Sequence, residues 1–159
     1  MIIDTLVTDR TQADVDRVKA LTQKWLDGTI TNAEKSEWLA GMKGAYNYTD
    51  LNRVGEAVRY VAGVLNSTGR SVSVTGKMDW TMEDIPTRSQ ESQFLADLRL
   101  LKASVSGSVP DVPTTLDNLT IEKANRIEEI IIAVYNAINR ERADMAICGL
   151  AISGVEGGL

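Results

Sequence analysis

The stretch LNRVGEAV at residues 51–58 is matched by ANRIEEII at residues 124–131, and these two strings decide the fold. Both contain Asn-Arg, then an apolar residue, then Glu two positions later. Apolar residues continue from each string in three- and four-residue steps, as far as Leu65 and Ile138. This spacing is typical of one buried face of an α-helix. The sequence therefore predicts helices over 49–66 and 120–142 whose apolar faces form a core.

The match between the two strings has two interpretations. The first copy extends over 49–66 and the second over 120–139, where Asn66 corresponds to Asn139. Each copy contains only about two heptads, which is short of the three to four that indicate a coiled coil. The copies are therefore either two amphipathic helices that pack independently on one core or a duplicated helical unit. In both cases Arg53 and Arg126 are expected at equivalent positions near the helix starts.

Three further helices are predicted from capping-box spacings, in which a Thr is followed three residues later by an acid or Gln. These pairs are Thr11 with Asp14, Thr31 with Glu34, and Thr87 with Gln90. The first helix ends at Asp27–Gly28, the second near Gly41–Gly44, and the third near Val105. Trp25 and Trp38 fall on the apolar faces of the first two helices and are expected in the helical core.

Residues 71–82 follow a different pattern, because apolar or small residues occupy every even position and polar residues every odd one. This alternation is typical of a half-buried strand or of a hairpin bending near residues 75–77. Met and Trp on one face are equally consistent with a loop anchored at those points. The predicted fold class is mainly α, with about five helices in a small bundle, a short β hairpin or strand near 71–82, and extended termini.

Composition excludes several classes of function. The net charge of −5 and the pI near 4.8 disfavour nucleic-acid binding, because an acidic chain repels phosphates. No apolar run approaches the length of about 20 residues that a membrane helix needs. The acidic N-terminal stretch is unlike a signal peptide. The single cysteine, Cys148, cannot form an intramolecular disulfide and is expected to be a small buried apolar residue.

No catalytic, cofactor-binding or metal-binding residue is predicted. The chain has no histidine, the commonest general base and metal ligand. Adjacent carboxylates such as Glu128 and Glu129 are expected in helix first turns or on solvent-facing surfaces. A glycosidase would need two carboxylates in an aromatic-lined cleft, which Trp25, Trp38 and Trp80 could supply. The sequence therefore favours a protein that is not an enzyme and requires no cofactor.

The stretch 143–159 is expected to differ from the helical domain of residues 1–142. From Met145 onward it is apolar and Gly-rich, with Glu156 as its one charge, and it is too irregular to predict a surface helix. Apolar side chains of this kind are stabilised by packing against another subunit. The predicted oligomer interface consists of Ile147, Leu150, Ile152, Val155 and Leu159.

Three strings resemble a family encoded by phages and prophages of Gram-positive anaerobes, in tail or minor structural protein genes. The strings are TDRTQADV at 8–15, LAGMKGAYNYTDLNRV at 39–54, and DWT with IPT at 79–81 and 85–87. The resemblance covers about residues 8–140, and its central string is the most specific part. It implies a virion component of the tail, fibre or baseplate that is made in the bacterial cytoplasm and brings no catalytic residue.

The same resemblance implies that the partners are other phage tail proteins and further copies of this chain. Fibres are usually trimers, so a homo-oligomer is expected. The alternative is a carbohydrate-binding module that contacts a host surface glycan. Exposed tryptophans forming a shallow platform would favour that alternative, whereas tryptophans buried among Val and Leu would favour a structural role.

Overall fold

The computed structural model describes the backbone of residues 1–153 and the side chains of residues 1–148. It is mainly helical, as predicted, with five α-helices and no strand in the described part. The helices are α1 (Gln12–Leu26), α2 (Asn32–Leu39), α3 (Tyr48–Ser67), α4 (Arg88–Ala103) and α5 (Ile121–Ser153). A 3-10 helix precedes them at Ile2–Thr5, where the sequence predicted an extended terminus.

The core consists of α3, α4 and α5, and these three helices run parallel. Near the helix starts Arg53 of α3 contacts Glu128 of α5, and just after the end of α3 Arg70 contacts Glu141, which lies further along α5. The end of α4 lies beside the same part of α5, because the amide of Ser106 donates to Glu141. Parallel neighbours need long connections, and residues 68–87 and 104–120 return the chain from one end of the bundle to the other.

The first return segment runs antiparallel to α3 and is held by side chains. Asn66 accepts from the amide of Val72 and donates to its carbonyl, at 2.7 and 2.9 Å. Asn52 makes the same pair of bonds with Trp80, at 2.7 and 2.8 Å. Between them, Asp97 of α4 accepts from the amides of Thr75 and Gly76.

These contacts explain why the hairpin prediction for 71–82 is wrong although its pattern is real. Val72 and Trp80 are buried, and the odd positions between them are mostly exposed. The alternation therefore marks an extended chain with one face on the helices. Its polar backbone groups are satisfied by Asn and Asp side chains instead of a neighbouring strand. The anchored-loop interpretation was the right one.

The two matching helices bury the predicted faces. The stripe of α3 from Val54 through Val58 to Leu65 has at most 1% exposure, and so has that of α5 from Ile127 through Ile131 to Ile138. The repeat extends to the bonding of its Asn residues, because Asn125 makes two bonds to the backbone of Arg10. Here the partner is the N-terminal segment, which runs antiparallel to α5. Each of the two matching helices thus binds an extended segment through an Asn side chain. This shared feature favours the duplicated helical unit over two independent amphipathic helices.

The helices α1 and α2 form a hairpin outside this core. Leu21 is fully buried but is not part of the main core cluster, and α2 has no buried residue. Trp25 and Trp38 are 43% and 39% exposed, so the prediction that they lie in the core is wrong. The three predicted capping boxes are all present, which explains how such weakly buried helices begin where they do. For α3 the cap is Asn47, two residues before Thr49.

The last helix is longer than predicted. The sequence indicated an end near Arg142, but α5 continues to Ser153, so the apolar stretch is helical as far as the description reaches. All described side chains from 142 to 148 are exposed. Cys148 is among them, which corrects the prediction of a buried thiol. The end of α5 therefore projects beyond the bundle.

Candidate functional site

A cavity of about 410 Å³ lies at the end of the bundle where all three core helices begin. Asn47 and Tyr48 contribute the start of α3, and Gln90 and Glu91 contribute the first turn of α4. Leu119, just before α5, adds a third helix start. Parallel packing is what brings the three N-terminal ends together.

The lining of this cavity is mainly aromatic and aliphatic. The apolar contributors are Tyr46, Tyr48, Leu51, Val54, Trp80, Met82, Pro86, Phe94, Leu116, Leu119 and Ile127. Met82 is 81% exposed and Leu119 is 39% exposed, so apolar surface continues out of the cavity. Volumes of a few hundred Å³ with apolar walls are typical of binding sites. The arrangement suits an apolar group better than a charged one.

Charges at the cavity are few and largely compensated. Lys77 lies 3.7 Å from Asp84 and 5.3 Å above the ring of Trp80. Hydrogen bonds from Thr81, and then the charge of Lys77, hold the pKa of Asp84 below its ordinary value. Glu91 has no ion-pair partner among the described residues, but it lies in the first turn of α4, where the helix N-terminus stabilises an acid.

A buried ionic cluster lies behind the cavity and holds the N-terminal segment to α3 and α5. Glu128 is fully buried and accepts from the amide of Val7 at 2.6 Å, from Arg10 at 2.7 Å and from Arg53 at 3.0 Å. Asp50 completes the cluster, 3.3 Å from Arg10 and 2.7 Å from Arg53. Two positive and two negative groups balance one another, which a buried cluster requires.

This cluster corrects the expectation that Glu128 faces solvent. Only its neighbour Glu129 is partly exposed, in a pair with Arg126 on the same helix. Arg53 and Arg126 hold the same position in their helices, five residues after the first, but their contacts differ. Burial by itself would lower the pKa of Arg53. The negative charges of Glu128 and Asp50 raise it by more than burial lowers it, so the pKa of Arg53 lies above its ordinary value.

Tyr46 connects the cluster to the cavity. Its ring lines the cavity and lies 5.1 Å from the guanidinium carbon of Arg10. Burial, and next the charge of Glu128, raise the pKa of the Tyr46 hydroxyl. Tyr46 therefore forms a part of the cavity wall that packs directly on the buried ionic cluster.

A second surface feature lies on the α1–α2 hairpin. The rings of Trp25 and Trp38 are 5.4 Å apart and tilted by 34°, so they contact each other instead of forming one flat platform. Leu26 and Leu39, the next residue in each helix, are 75% and 71% exposed. The hairpin thus presents large apolar side chains to solvent.

The predicted oligomer-interface residues fall partly outside the described part. Ile147 is 64% exposed on the projecting end of α5, next to Met145 at 58%. Leu150 and Ile152 belong to the same helix, but only their backbone is described. Val155 and Leu159 lie outside the described residues.

The sequence did not predict the cavity, because its walls come from five parts of the chain that share no pattern: the start of α3, the segment 77–86, α4, the segment 116–119 and Ile127 of α5.

No group of three or more Asp, Glu, Cys or His side chains is placed to hold a metal ion in the described part. Within that same part, no helix combines the length and the apolar character needed to cross a membrane. Comparisons with protein-family models, curated proteins and solved structures find no match to the chain.

Proposed function

We propose that this chain is a non-enzymatic structural component of a bacteriophage or prophage-derived tail, fibre or baseplate, acting by protein–protein assembly. The strings at 8–15 and 39–54 support it through their resemblance to tail-cluster proteins. Both strings lie at the attachment of the α1–α2 hairpin to the bundle. The geometry of that hairpin is the observation that carries the proposal.

The α1–α2 hairpin has the properties of a surface completed by another protein. An eight-residue helix is marginal in water by itself, and α2 has no buried residue to stabilise it. Trp38 and Leu39 of α2 nevertheless remain exposed beside Trp25 and Leu26 of α1. The rings of Trp25 and Trp38 contact each other, and clustered exposed apolar side chains mark protein interaction sites in soluble proteins. A neighbouring protein in a particle would bury it.

The projecting end of α5 supports assembly independently. Met145 and Ile147 extend past the bundle on a part of α5 where every described side chain is exposed. Between Ala143 and Leu159 only Asp144 and Glu156 are charged. A homo-oligomer formed through this segment is the expected state in solution.

Mass spectrometry of purified particles tests the proposal. Particles induced from a host that encodes this chain should contain it at a stoichiometry fixed relative to other tail proteins. The same particles from a host carrying Trp38→Asp and Leu39→Asp should lack it or lose the tail. Absence of the wild-type chain from washed particles would contradict the proposed role.

A carbohydrate-binding role is the second candidate, and the exposure of Trp25 and Trp38 is the observation that favours it. Aromatic faces that stay partly open to solvent can stack on sugar rings. Their mutual contact leaves less flat surface than two separate rings would offer. Binding of the purified chain to host cell-wall glycans, lost in Trp25→Ala and Trp38→Ala but kept in Tyr60→Ala, would support this role. Equal retention by all three variants would refute it.

A further inference from the structure

The two ends of the bundle differ in a way that makes them complementary. One end contains the apolar cavity and the starts of α3, α4 and α5. At the opposite end α5 continues from Arg142 to Ser153, which adds a projection of about 16 Å at 1.5 Å per residue. Its described side chains there make no core contact and are exposed. One end of the bundle therefore has an apolar cavity, and the other has an apolar helix that projects from it.

We propose that the C-terminal part of α5 in one copy docks into the cavity at the helix starts of the next copy, so that the chain assembles head to tail. This inference rests on the homo-oligomer of the proposed function and names its contact. The occupant of the cavity is then a segment of the chain itself, residues 143–159, supplied by a neighbour.

The segment cannot reach the cavity of its own chain. Ile127 lines the cavity, and α5 carries the chain about 39 Å away from it by Ser153, at 1.5 Å per residue. Residues 154–159 span at most about 21 Å when fully extended. Occupation of the cavity by Val155 or Leu159 therefore requires a second copy.

Charge also favours this pairing. Each helix N-terminus carries a partial positive charge of about one half, and the C-terminus of α5 carries the matching negative charge. The segment 143–159 has two acids and no Lys or Arg. At the cavity Lys77 and Asp84 offset each other, and Glu91 lies in the first turn of α4, where the helix N-terminus stabilises an acid.

The consequence for assembly follows from symmetry. A contact between different surfaces of identical subunits is heterologous, and it closes into a ring or continues as a filament according to the rotation it imposes. Packing of the same segment around a shared axis would instead leave the cavity empty and give a closed oligomer. The two arrangements make different predictions for variants of the cavity.

Two full-length variants test the contact by light scattering. The cavity variant carries Met82→Glu and Leu119→Glu, at positions that are partly exposed and so tolerate charge. The projection variant carries Met145→Lys and Ile147→Lys, both exposed on α5. Leu100→Glu is the control, because Leu100 is 39% exposed like Leu119 but does not line the cavity. Circular dichroism checks that each variant keeps its helices.

Wild type and the control are expected to increase in mass with concentration, and each variant alone is expected to be a monomer. An equimolar mixture should form dimers and nothing larger, because it supplies one intact cavity and one intact projection. A cavity variant that associates like wild type would overturn head-to-tail docking and leave assembly through the projection intact. A wild-type monomer at millimolar concentration would overturn both forms of self-association. Neither result would affect detection of the chain in particles.

Discussion

Asn52 and Asn125, 73 residues apart and at the same position in α3 and α5, make the same pair of hydrogen bonds to an extended segment. Asn52 brackets the backbone of Trp80, and Asn125 brackets that of Arg10. A carboxamide can accept from an amide and donate to a carbonyl at once, as a neighbouring strand would. The repeated unit is therefore a helix together with the segment that it holds.

Loss of one such carboxamide is expected to destabilise the protein measurably. Asn66→Ala would remove both bonds to Val72, whose side chain is buried. An unsatisfied buried backbone group costs about 1–3 kcal/mol, so a loss of about 2 kcal/mol is expected in urea unfolding. Asn139 is the matched control, because it corresponds to Asn66 in the repeat but is exposed, and its side chain makes no hydrogen bond to the described residues. If Asn139→Ala costs as much as Asn66→Ala, the bracketing bonds are not what stabilises the segment.

The sequence predicted the core-facing side of residues 72–80 but not what that segment pairs with, and Met82, on the same predicted face, is 81% exposed. Burial of alternate side chains is a property of local periodicity, so Val72 and Trp80 could be assigned to one face. The identity of the hydrogen-bond partner is not local, because Asn66, Asn52 and Asp97 lie on two different helices. An isolated alternating stretch therefore cannot distinguish a strand from a segment held by side chains.

Replacement of Glu128 in the buried cluster is expected to cost more stability than replacement of a residue in a surface ion pair. Glu128→Gln would leave the buried Arg10 and the partly buried Arg53 with one carboxylate between them. Breaking a buried pair in this way costs about 3–5 kcal/mol. Glu129→Gln is the adjacent control and should change stability by no more than about 0.5 kcal/mol, as for other surface positions. Equal midpoints of urea unfolding for the two variants would contradict the cluster.

A signal for the burial of Glu128 was present in the sequence. Ala124, Ile127 and Ile131 define the apolar face of α5, and position 128 lies four residues after the first of them, within that face. In the repeat it corresponds to Gly55, which is also buried, where an added Cβ would meet Met78 at 3.1 Å. What the sequence alone could not supply was the partner, because Arg10 is 118 residues away.

The α1–α2 hairpin is expected to lose structure in acid before the bundle does. Hydrogen bonding to Lys24, and then to the backbone of Thr31, lowers the pKa of Glu34 from 4.5 to about 2. Hydrogen bonding to Arg17 lowers the pKa of Glu37 as well. A lowered pKa in the folded state stabilises the fold above the ordinary value, and this contribution is lost as pH falls. The circular dichroism couplet of Trp25 and Trp38 should therefore weaken between about pH 4.5 and 2, while most helical signal remains.

Glu34→Gln tests the cause of this acid transition. The side-chain amide that this substitution introduces can still accept from Thr31 at the cap, but it has no charge with which to form an ion pair with the ammonium of Lys24. The circular dichroism couplet of the tryptophans in this variant should be weaker at neutral pH and should change less on acidification. Glu122→Gln, in the first turn of α5, is the control, and its tryptophan couplet should weaken with acid as in wild type. A couplet that disappears together with the whole helical signal would show that the hairpin is not a separate unit.

Gly44 fixes how the hairpin attaches to the bundle. A Cβ built there would lie 2.2 Å from the carbonyl oxygen of Asp14 and 2.5 Å from the amide nitrogen of Val15, both backbone atoms at the start of α1. Gly44→Ala therefore requires α1 to shift, and overpacking of this kind costs about 1–3 kcal/mol.

Gly63→Ala in α3 is the matched control, because a Cβ there meets nothing within 4 Å. Removal of a helical glycine should stabilise the protein by about 0.5–1 kcal/mol. The two substitutions should thus move the urea midpoint in opposite directions, and hydrogen exchange should increase in 12–39 for Gly44→Ala alone. A Gly44→Ala variant with wild-type exchange in those residues would show that the close approach to α1 does not position the hairpin.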